Sequence, residues 1–313
     1  MSVIFYRYDG SPFCDKLDNA LALKKIPHLR VDVLPTVSAR PEITDLLGVG
    51  YRRIPILAIG NDVYCDTSLI IPVLEHRFPS GPDQSYGTIF PADKHGGGRN
   101  TGLLKAFSRH YGDTVLLTLS VRLLDWGAAN PEMLEDRSKL FGSRIDPQKF
   151  AENRPRVISE LSVHLTHIEQ QLQDDREWLL DTISPSLADL SVHFIYAWIK
   201  KMPWFDPAIV DSLLDKGRFP RVIEWINRLN AHLDSLRRGF ETMTIDGKEA
   251  AQKVAEASHE PDGNVSFDDT DAERLGFKRG MLVRIRPEDS GENCLRSFDK
   301  WYSSRAFRQG MAS

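Results

Sequence analysis

The chain has 313 residues, of which 41% are hydrophobic and 27% charged, and its formal net charge is −4. This length predicts two domains with an appendage, and the composition is that of an ordinary globular protein. The slight negative charge, without a long basic block, argues against nucleic acid or an anionic membrane as a partner. No apolar run approaches the roughly 20 residues that cross a bilayer.

Cysteine usage and the N-terminus indicate a reducing compartment. The three cysteines, Cys14, Cys65 and Cys294, lie far apart and lack the spacing of metal ligands. His164 and His167 share a helix face but have no third ligand nearby in sequence. The N-terminus lacks the basic start and apolar core of a secretory signal. We therefore expect a cytoplasmic protein without a bound metal.

Strands and helices alternate in the first eighty residues. The β-branched and aromatic residues of Val3–Tyr8 predict a strand that stops at a turn dipeptide. Ser11 and Pro12 then suit a helix cap and a first helical position. The later predicted elements are Leu29–Val33, Pro41–Leu47, Ile54–Ile59, Val63–Cys65 and Thr67–Phe78, which give the order β-α-β-α-β-β-α.

The remainder of the chain predicts a linker, a helical domain and an extension. Residues 83–100 are rich in Gly, Pro and Asp and are expected to form the linker. Helices are expected at 103–126, 156–172, 187–199 and 220–233, and the third is apolar all round, as in a buried central helix. The extension is polar at first and then strand-like at Met281–Ile285.

The segment Ser11–Cys14 lies at the first strand-to-helix turn. Serine there is equally well explained as an ordinary helix cap. Alternatively, the helix N-terminus binds an anion through its N–H groups and dipole, and it lowers the pKa of a thiol placed there. The Ser11 hydroxyl can donate to a sulfur anion while it accepts from the cap. Ser11 is thus a candidate to stabilise a substrate thiolate without ionising.

Two further junctions are candidates to bind a peptide. A cis Ile54–Pro55 bond turns the backbone of Ile54 outward, where an extended peptide can pair with it, although proline also begins strands for structural reasons. Asp66 and Thr67 are common caps. The Asp66 carboxylate can also pair with an ammonium, while Thr67 binds a carboxylate. With Ser11, these features describe the layout of glutathione: a thiol, a peptide backbone and an α-amino-acid head.

The first eighty residues resemble the N-terminal domain of the glutathione transferase superfamily. The family pattern has a Ser/Tyr/Cys turn, a (Lys/Arg)-(Val/Ile)-Pro-x-Leu strand and a (Glu/Gln/Asp)-(Ser/Thr)-x-x-Ile helix start, which read here as Ser11–Phe13, Arg53–Leu57 and Asp66–Ile70. The resemblance implies that Ser11 is catalytic and that Arg53, with Arg40 as a weaker candidate, meets the glycine carboxylate of glutathione. It implies glutathione contacts at Phe13, Arg40, Arg53, Ile54, Pro55, Asp66 and Thr67.

A fourth match lies in the helical half. Ser186–Leu190 resembles the Ser/Thr-x-Ala-Asp box of the family, whose role is to cap the buried helix rather than to catalyse. The resemblance covers about residues 1–236 and extends to a fungal subgroup with a C-terminal extension, some members of which act in secondary metabolism. By their location on the first long helix, Arg109, His110, Tyr111 and Thr114 are expected to line the pocket of the second substrate.

The expected fold is a thioredoxin-like α/β domain (1–82), a linker (83–100), an all-helical domain (101–238) and a small, partly β extension (239–313) of unknown role. By resemblance we expect a homodimeric transferase that attacks an electrophilic, apolar small molecule with the glutathione thiolate, in detoxification or fungal secondary metabolism, or that assists an isomerisation or elimination. Two alternatives are a glutathione-dependent thiol reductase that uses Cys14, and a non-catalytic binding protein of the same fold.

Overall fold

A computed structural model describes residues 1–35, 40–51, 53–81, 85–240, 242–265, 267–281 and 283. Cys294 and most of the strand predicted at Met281–Ile285 lie outside these ranges. None of the described helices is both long enough and apolar enough to cross a membrane.

The N-terminal domain is thioredoxin-like, with the predicted order of elements. They are β1 (Val3–Arg7), α1 (Pro12–Leu23), β2 (Leu29–Asp32), α2 (Pro41–Thr44), β3 (Ile56–Ile59), β4 (Asp62–Cys65) and α3 (Thr67–Arg77). In the sheet, β1 pairs in parallel with β2 and antiparallel with β3, and β4 pairs antiparallel with β3. All residues of β1 are buried, as expected for a central strand that is covered on both faces.

The second half is helical and packs around one buried helix. Its elements are α4 (Thr101–Ala106), a π-helix (Phe107–Leu116), α5 (Leu117–Val121), α6 (Pro131–Phe141), α7 (Pro147–Gln171), α8 (Leu187–Lys201), α9 (Pro207–Leu213) and α10 (Pro220–Arg237). The predicted helix at 103–126 is thus broken by a wider helical stretch and ends earlier. Helix α8 is the buried one, and it packs against α1 and the π-helix.

The cap predicted at the start of α8 is present. The Ser186 Oγ accepts from the Ala188 N–H at 3.2 Å, and the Asp189 carboxylate accepts from the Ser186 N–H at 2.8 Å. Asp189 also accepts from the Leu179 N–H and from the Trp225 indole. Since Asp189 is fully buried and its hydrogen bonds lie inside the helical domain, its role is structural.

Residues 85–100 contact both domains, and the extension packs against the thioredoxin-like domain. Ile89 and Phe90 are buried, and the Ile89 carbonyl accepts from the Leu187 N–H at 2.9 Å. In the extension, β5 (Met243–Thr244) joins the sheet beside β2 as a fifth strand, and α11 (Gly247–Glu256) packs against α2. Helix α12 (Asp269–Leu275) follows. The described part of the extension is therefore mainly helical, with a single short strand.

Candidate functional site

A cavity of about 1140 Å³ lies between the thioredoxin-like domain and the helical domain. One side is lined by the turn before α1, the loop before β3 and the start of α3. The other side is lined by the π-helix, α5, α6 and the segment after α8. The volume exceeds the usual range of roughly 300–1,000 Å³ for small-molecule sites, so the cavity has room for two ligands side by side.

Ser11 lies in the cavity wall at the start of α1. Its Oγ accepts from the Cys14 N–H at 3.4 Å, the geometry of a helix cap. The preceding Gly10 has φ +91°, and a Cβ there would lie 2.6 Å from the ring of Trp204. The Trp198 indole donates to the Gly10 carbonyl at 2.9 Å. The helical domain therefore holds the turn that presents Ser11.

Cys14 lies one turn inside α1 and is fully buried. Burial raises the pKa of its thiol to about 12, while hydrogen bonds from Ser11 and Tyr8 oppose that shift. The thiol is therefore neutral at physiological pH. Since the thiolate is the reactive form, Cys14 has the environment of a structural cysteine.

The loop before β3 supplies three of the sequence candidates. The Ile54–Pro55 peptide bond is cis, and both residues are buried in the cavity wall. Arg53 is half-buried and lines the same wall. Phe13, on α1, also lines the cavity, and its ring lies 5.9 Å from that of Phe194 on α8.

Arg40 lies in the cavity wall, and its guanidinium donates hydrogen bonds to backbone carbonyls of the protein. Its Nε donates to the Leu34 carbonyl at 2.9 Å and its Nη2 donates to the Pro35 carbonyl at 3.2 Å. The guanidinium also lies 5.7 Å from the centre of the Tyr8 ring. Arg40 therefore stabilises the residues that follow β2, and it also lines the cavity.

Asp66 and Thr67 lie at the start of α3. Asp66 has φ +75°, which is unusual for a residue other than glycine, and its Oδ1 accepts from the Ser68 N–H at 2.8 Å. Such backbone strain costs about 1–3 kcal/mol and clusters at ligand sites. Thr67 is buried and Ser68 is exposed, and all three residues line the cavity. A carboxylate and a helix N-terminus thus face the same end of it.

Three of the four helical-domain candidates line the cavity: Arg109, His110 and Thr114 on the π-helix. The Arg109 Nη1 donates to the Ser68 Oγ at 3.1 Å. Arg109 therefore lines the cavity beside the start of α3.

Tyr111 lies away from the cavity, contrary to our expectation. Its hydroxyl is 3.2 Å from the Nδ1 of His164 on α7, and its ring packs 4.8 Å from that of Phe107. The physical reason is that this side of the π-helix faces other helices of its own domain.

The helical-domain side of the cavity carries many apolar side chains, with Asp125, Asn130, Arg137 and Asp206 among them. The apolar ones include Leu117, Val121, Leu124, Trp126, Met133, Leu140, Phe141, Trp204 and Phe205. Sequence reasoning identified none of these as pocket residues. Helix α6 supplies three of them, and none of its residues, all of which the structure describes, is fully buried. A weak burial pattern of this kind gives little periodic signal in the sequence.

Polar residues that the sequence did not predict also line the cavity, Tyr8 and Asp113 among them. Tyr8 directly follows β1 and is half-buried, so its hydroxyl is a second potential hydrogen-bond donor. Asp113, on the π-helix, accepts from the Nζ of the fully buried Lys16 on α1 at 2.5 Å. The sequence could have pointed to Tyr8, because it stands just before the Ser11 turn. It could not have pointed to the ion pair between Lys16 and Asp113, because the two residues lie 97 positions apart.

Two further properties of the site are the pKa of Asp113 and the arrangement of side chains that could bind a metal. Burial raises the pKa of the Asp113 carboxyl, and the Lys16 ammonium opposes that shift. Among the residues that the structure describes, no three His, Cys, Asp or Glu side chains form a cluster that could hold a metal ion.

Comparisons with known proteins bear on the fold of the chain. Residues 5–83 match the family model of the glutathione S-transferase N-terminal domain, and residues 117–237 match a domain of unknown function, DUF7962. A search of the curated proteins found no match to the chain.

Solved structures share the overall architecture. A GST-like protein from Pseudomonas syringae has a TM-score of 0.66 at 23% identity, covering 93% of this chain and 86% of its own. The beta-etherase LigF from Sphingobium sp. has a TM-score of 0.56 at 16% identity, covering 76% and 100%. Rice GST1, solved in complex with glutathione, has a TM-score of 0.52 at 16% identity, covering 81% and 96%. At these identities the likeness shows a shared fold.

Proposed function

We propose that this chain, which has the fold of the glutathione transferases and a glutathione S-transferase N-terminal domain in residues 5–83, binds glutathione and activates its thiol for attack on an apolar electrophile. One observation carries the proposal: Ser11, Ile54, Asp66 and Thr67 all line a single cavity. Together these residues were identified in the sequence as contacts for the three parts of glutathione: the thiol, the peptide backbone and the α-amino-acid head.

In this proposal, the ligand lies along the thioredoxin-like side of the cavity. Its α-amino-acid head binds at Asp66 and Thr67, and its peptide backbone pairs with Ile54. The glycine carboxylate lies toward the guanidinium groups of Arg53 and Arg40. Phe13 contributes apolar contact.

The sulfur then lies at Ser11, where two effects favour the thiolate. The hydroxyl donates a hydrogen bond to sulfur, and the N-terminus of α1 favours negative charge. Fixing both reactants in one cavity adds the advantage of proximity. In a substitution, the thiol proton passes to solvent, a sulfur–carbon bond forms, and the leaving group departs with the electron pair of its bond to carbon.

The helical-domain side of the cavity is proposed to bind the second substrate. Most of the side chains there are aliphatic or aromatic, so an electrophile with large apolar surface fits it best, and Asp125, Asn130, Arg137 and Asp206 add polar contacts. Isomerisation or elimination, in which glutathione returns unchanged, uses the same two half-sites. A role of the protein in detoxification or in fungal secondary metabolism stays a prediction from the sequence resemblance.

The test compares Ser11→Ala with Tyr8→Phe. The second variant is the control, because it also removes one hydroxyl from the cavity wall. A hydrogen bond to a charged group contributes about 1.5–3 kcal/mol, so Ser11→Ala is expected to raise the pKa of the bound thiol by about one to two pH units. The thiolate absorbance of the complex, titrated against pH, measures this. Tyr8→Phe is expected to leave the pKa unchanged. The opposite result assigns the donor to Tyr8, and wild-type protein that does not bind glutathione contradicts the proposed function.

The thiol-reductase alternative depends on Cys14, and burial of that thiol weighs against it. Cys14→Ala therefore serves as a further control and is expected to keep the transferase activity. Loss of activity in Cys14→Ala, with retention in Ser11→Ala, would favour the reductase. The homodimer and the cytoplasmic location stay predictions, and light scattering of the purified protein measures the former.

A further inference from the structure

One face of helix α6 is directed into the cavity. Met133, Arg137, Leu140 and Phe141 line the cavity, and their spacing places them on one side of a helix. These four residues form the cavity face of α6. No residue of α6 is fully buried, and Phe141 is 43% exposed. The apolar side chains of the cavity face therefore lack the close packing that a helix usually finds against a protein core.

Both ends of α6 are joined to the helical domain through short exposed segments. Trp126 and Ile145 are buried on either side of the helix, whereas residues 127–128 and 142–144 are exposed. Gly142 has φ +68°, which glycine adopts without strain, and a Cβ there would meet no atom within 4 Å. No other described helix or strand packs extensively against α6. A helix with so few buried contacts can open while the buried residues on either side stay in place.

A hydrogen bond across the cavity links α6 to the thioredoxin-like domain. The Arg137 Nη2 donates to the Pro35 carbonyl at 3.1 Å, and the Nη1 donates to the Asp136 carboxylate at 2.8 Å. The same Pro35 carbonyl accepts from the Arg40 Nη2 at 3.2 Å. Pro35 thus binds one guanidinium from each domain. The bond from Arg137 is exposed, so water can replace it when α6 moves away.

An apolar ligand in the cavity shifts the balance between open and closed positions of α6. Such a ligand removes water from Met133, Leu140 and Phe141 and gives these side chains a packing partner. A ligand that makes contacts in only one of two positions stabilises that position. Glutathione is polar, and the residues proposed to bind it lie on the thioredoxin-like side of the cavity. It therefore leaves the cavity face of α6 uncovered.

We propose that α6 is a lid that closes over the second substrate, and that the bond from Arg137 to Pro35 holds it closed. The proposal rests on the proposed function, because it assigns the apolar group of the electrophile as the ligand that covers the cavity face. Closure excludes water from the reacting atoms, and opening releases the product. Arg137 is a positioning residue, since it acts through α6 and not on the reacting atoms.

Hydrogen–deuterium exchange of the full chain measures the opening of α6. The amides of residues 134–141 exchange in proportion to the open fraction of the helix. The wild type is compared without ligand, with saturating glutathione and with saturating S-hexylglutathione, which adds an alkyl chain to the sulfur. S-hexylglutathione is expected to slow exchange in α6 by about tenfold or more, because the chain buries apolar surface of the cavity face. Glutathione is expected to change it by less than about twofold, since it leaves this face uncovered.

Arg137→Met tests the bond to Pro35 without any ligand. Methionine keeps an apolar stem and removes the donors, so exchange in α6 is expected to rise by about tenfold. Arg137→Lys keeps one charged donor and is expected to restore slow exchange. The matched control is Lys139→Met, which removes a cation from the same helix, where Lys139 pairs with Glu135 at 2.6 Å outside the cavity. This control is expected to change exchange by less than about twofold.

The outcomes separate the lid from the proposed function. S-hexylglutathione that binds in calorimetry without slowing exchange in α6 overturns the proposal, and so does equal protection by glutathione. Equal exchange in Arg137→Met and Lys139→Met also overturns it. If Arg137→Met speeds exchange in α8 as much as in α6, Arg137 supports the whole domain and the proposal is wrong. Wild-type protein that binds neither ligand contradicts the proposed function and, with it, the assignment of the electrophile as the occupant.

Discussion

His193 lies on α8 with 2% of its surface exposed, and its Nε2 is 2.9 Å from the Asn230 Oδ1. Burial lowers the pKa of His193 to about 4, while the contact with Asn230 opposes that shift. The folded state therefore favours the neutral ring. Its contribution to stability is complete above the unfolded pKa of about 6.5 and is lost as the pH falls toward 4.

The resulting prediction concerns the pH dependence of unfolding. Between pH 7 and pH 4 the wild type is expected to lose on the order of 3 kcal/mol of unfolding free energy relative to His193→Gln, which does not titrate. Urea denaturation of both proteins across this range measures the difference. Stability curves that run parallel for the two proteins would show that His193 has the same pKa in the folded and unfolded states.

Caps and turns explain which single residues could be identified from the sequence. Ser11, Asp66 and Ser186 each stand directly before a helix, and each accepts a hydrogen bond from that helix. A local pattern of this kind is visible without the fold. Asp113 gave no such signal, because its partner Lys16 lies on a distant element and the ion pair exists only once the domains have packed.

At the scale of elements, the sequence predicted the alternating order of the first domain and the buried α8, and the structure and the family match confirm the predicted fold. It missed α6 and α9, which are short and largely exposed. The sequence also predicted one regular helix over 103–126, whereas the structure has a π-helix within this range and α5 ends at Val121. Periodicity detects helices by their buried face, so an exposed helix over a cavity is a poor target for it.

Helix α6 gives a testable contribution to substrate binding. Phe141 at its end lines the cavity and packs edge-on against Trp126 at 6.1 Å, yet it is 43% exposed. Phe141→Ala is expected to raise the KM for an apolar electrophile by about tenfold, equivalent to about 1.4 kcal/mol of lost contact. The KM for glutathione is expected to stay the same.

Steady-state kinetics with each substrate varied in turn separates these effects. Ile183→Ala, at an exposed apolar residue outside the cavity, is the control and is expected to change neither KM. An equal rise in both KM values for Phe141→Ala would place α6 in general support of the fold and not in the binding of the electrophile.

At the scale of the whole molecule, the extension packs against the thioredoxin-like domain through residues that do not line the cavity. The Asn61 Nδ2 donates to the Val254 carbonyl at 2.7 Å. The carboxylate of the buried Glu260 lies 3.3 Å from the Arg77 Nη1 and 2.7 Å from the His76 Nε2. The Glu260 N–H donates to Asp62 at 2.7 Å. Together with β5, these contacts make the extension part of the folded domain.

Removal of the Glu260 carboxylate is therefore expected to destabilise the protein by about 1–3 kcal/mol, because Arg77 is nearly buried beside it. Denaturant unfolding of Glu260→Ala measures this, and limited proteolysis is expected to cut first within residues 242–265. The control is Glu249→Ala, at an exposed pair with Lys253 one helical turn away, where little change is expected. Equal stability of the two variants would mean that the extension is not anchored at Glu260.

The contact between the tryptophans and the Gly10 turn also supplies an optical reporter. Trp198 donates to the carbonyl directly before Ser11, and Trp204 lies against the same glycine. A charged sulfur that arrives at Ser11 changes the electric field around both indoles. The intrinsic emission of the protein is therefore expected to shift on ligand binding, which allows a label-free fluorescence titration of the unmodified chain.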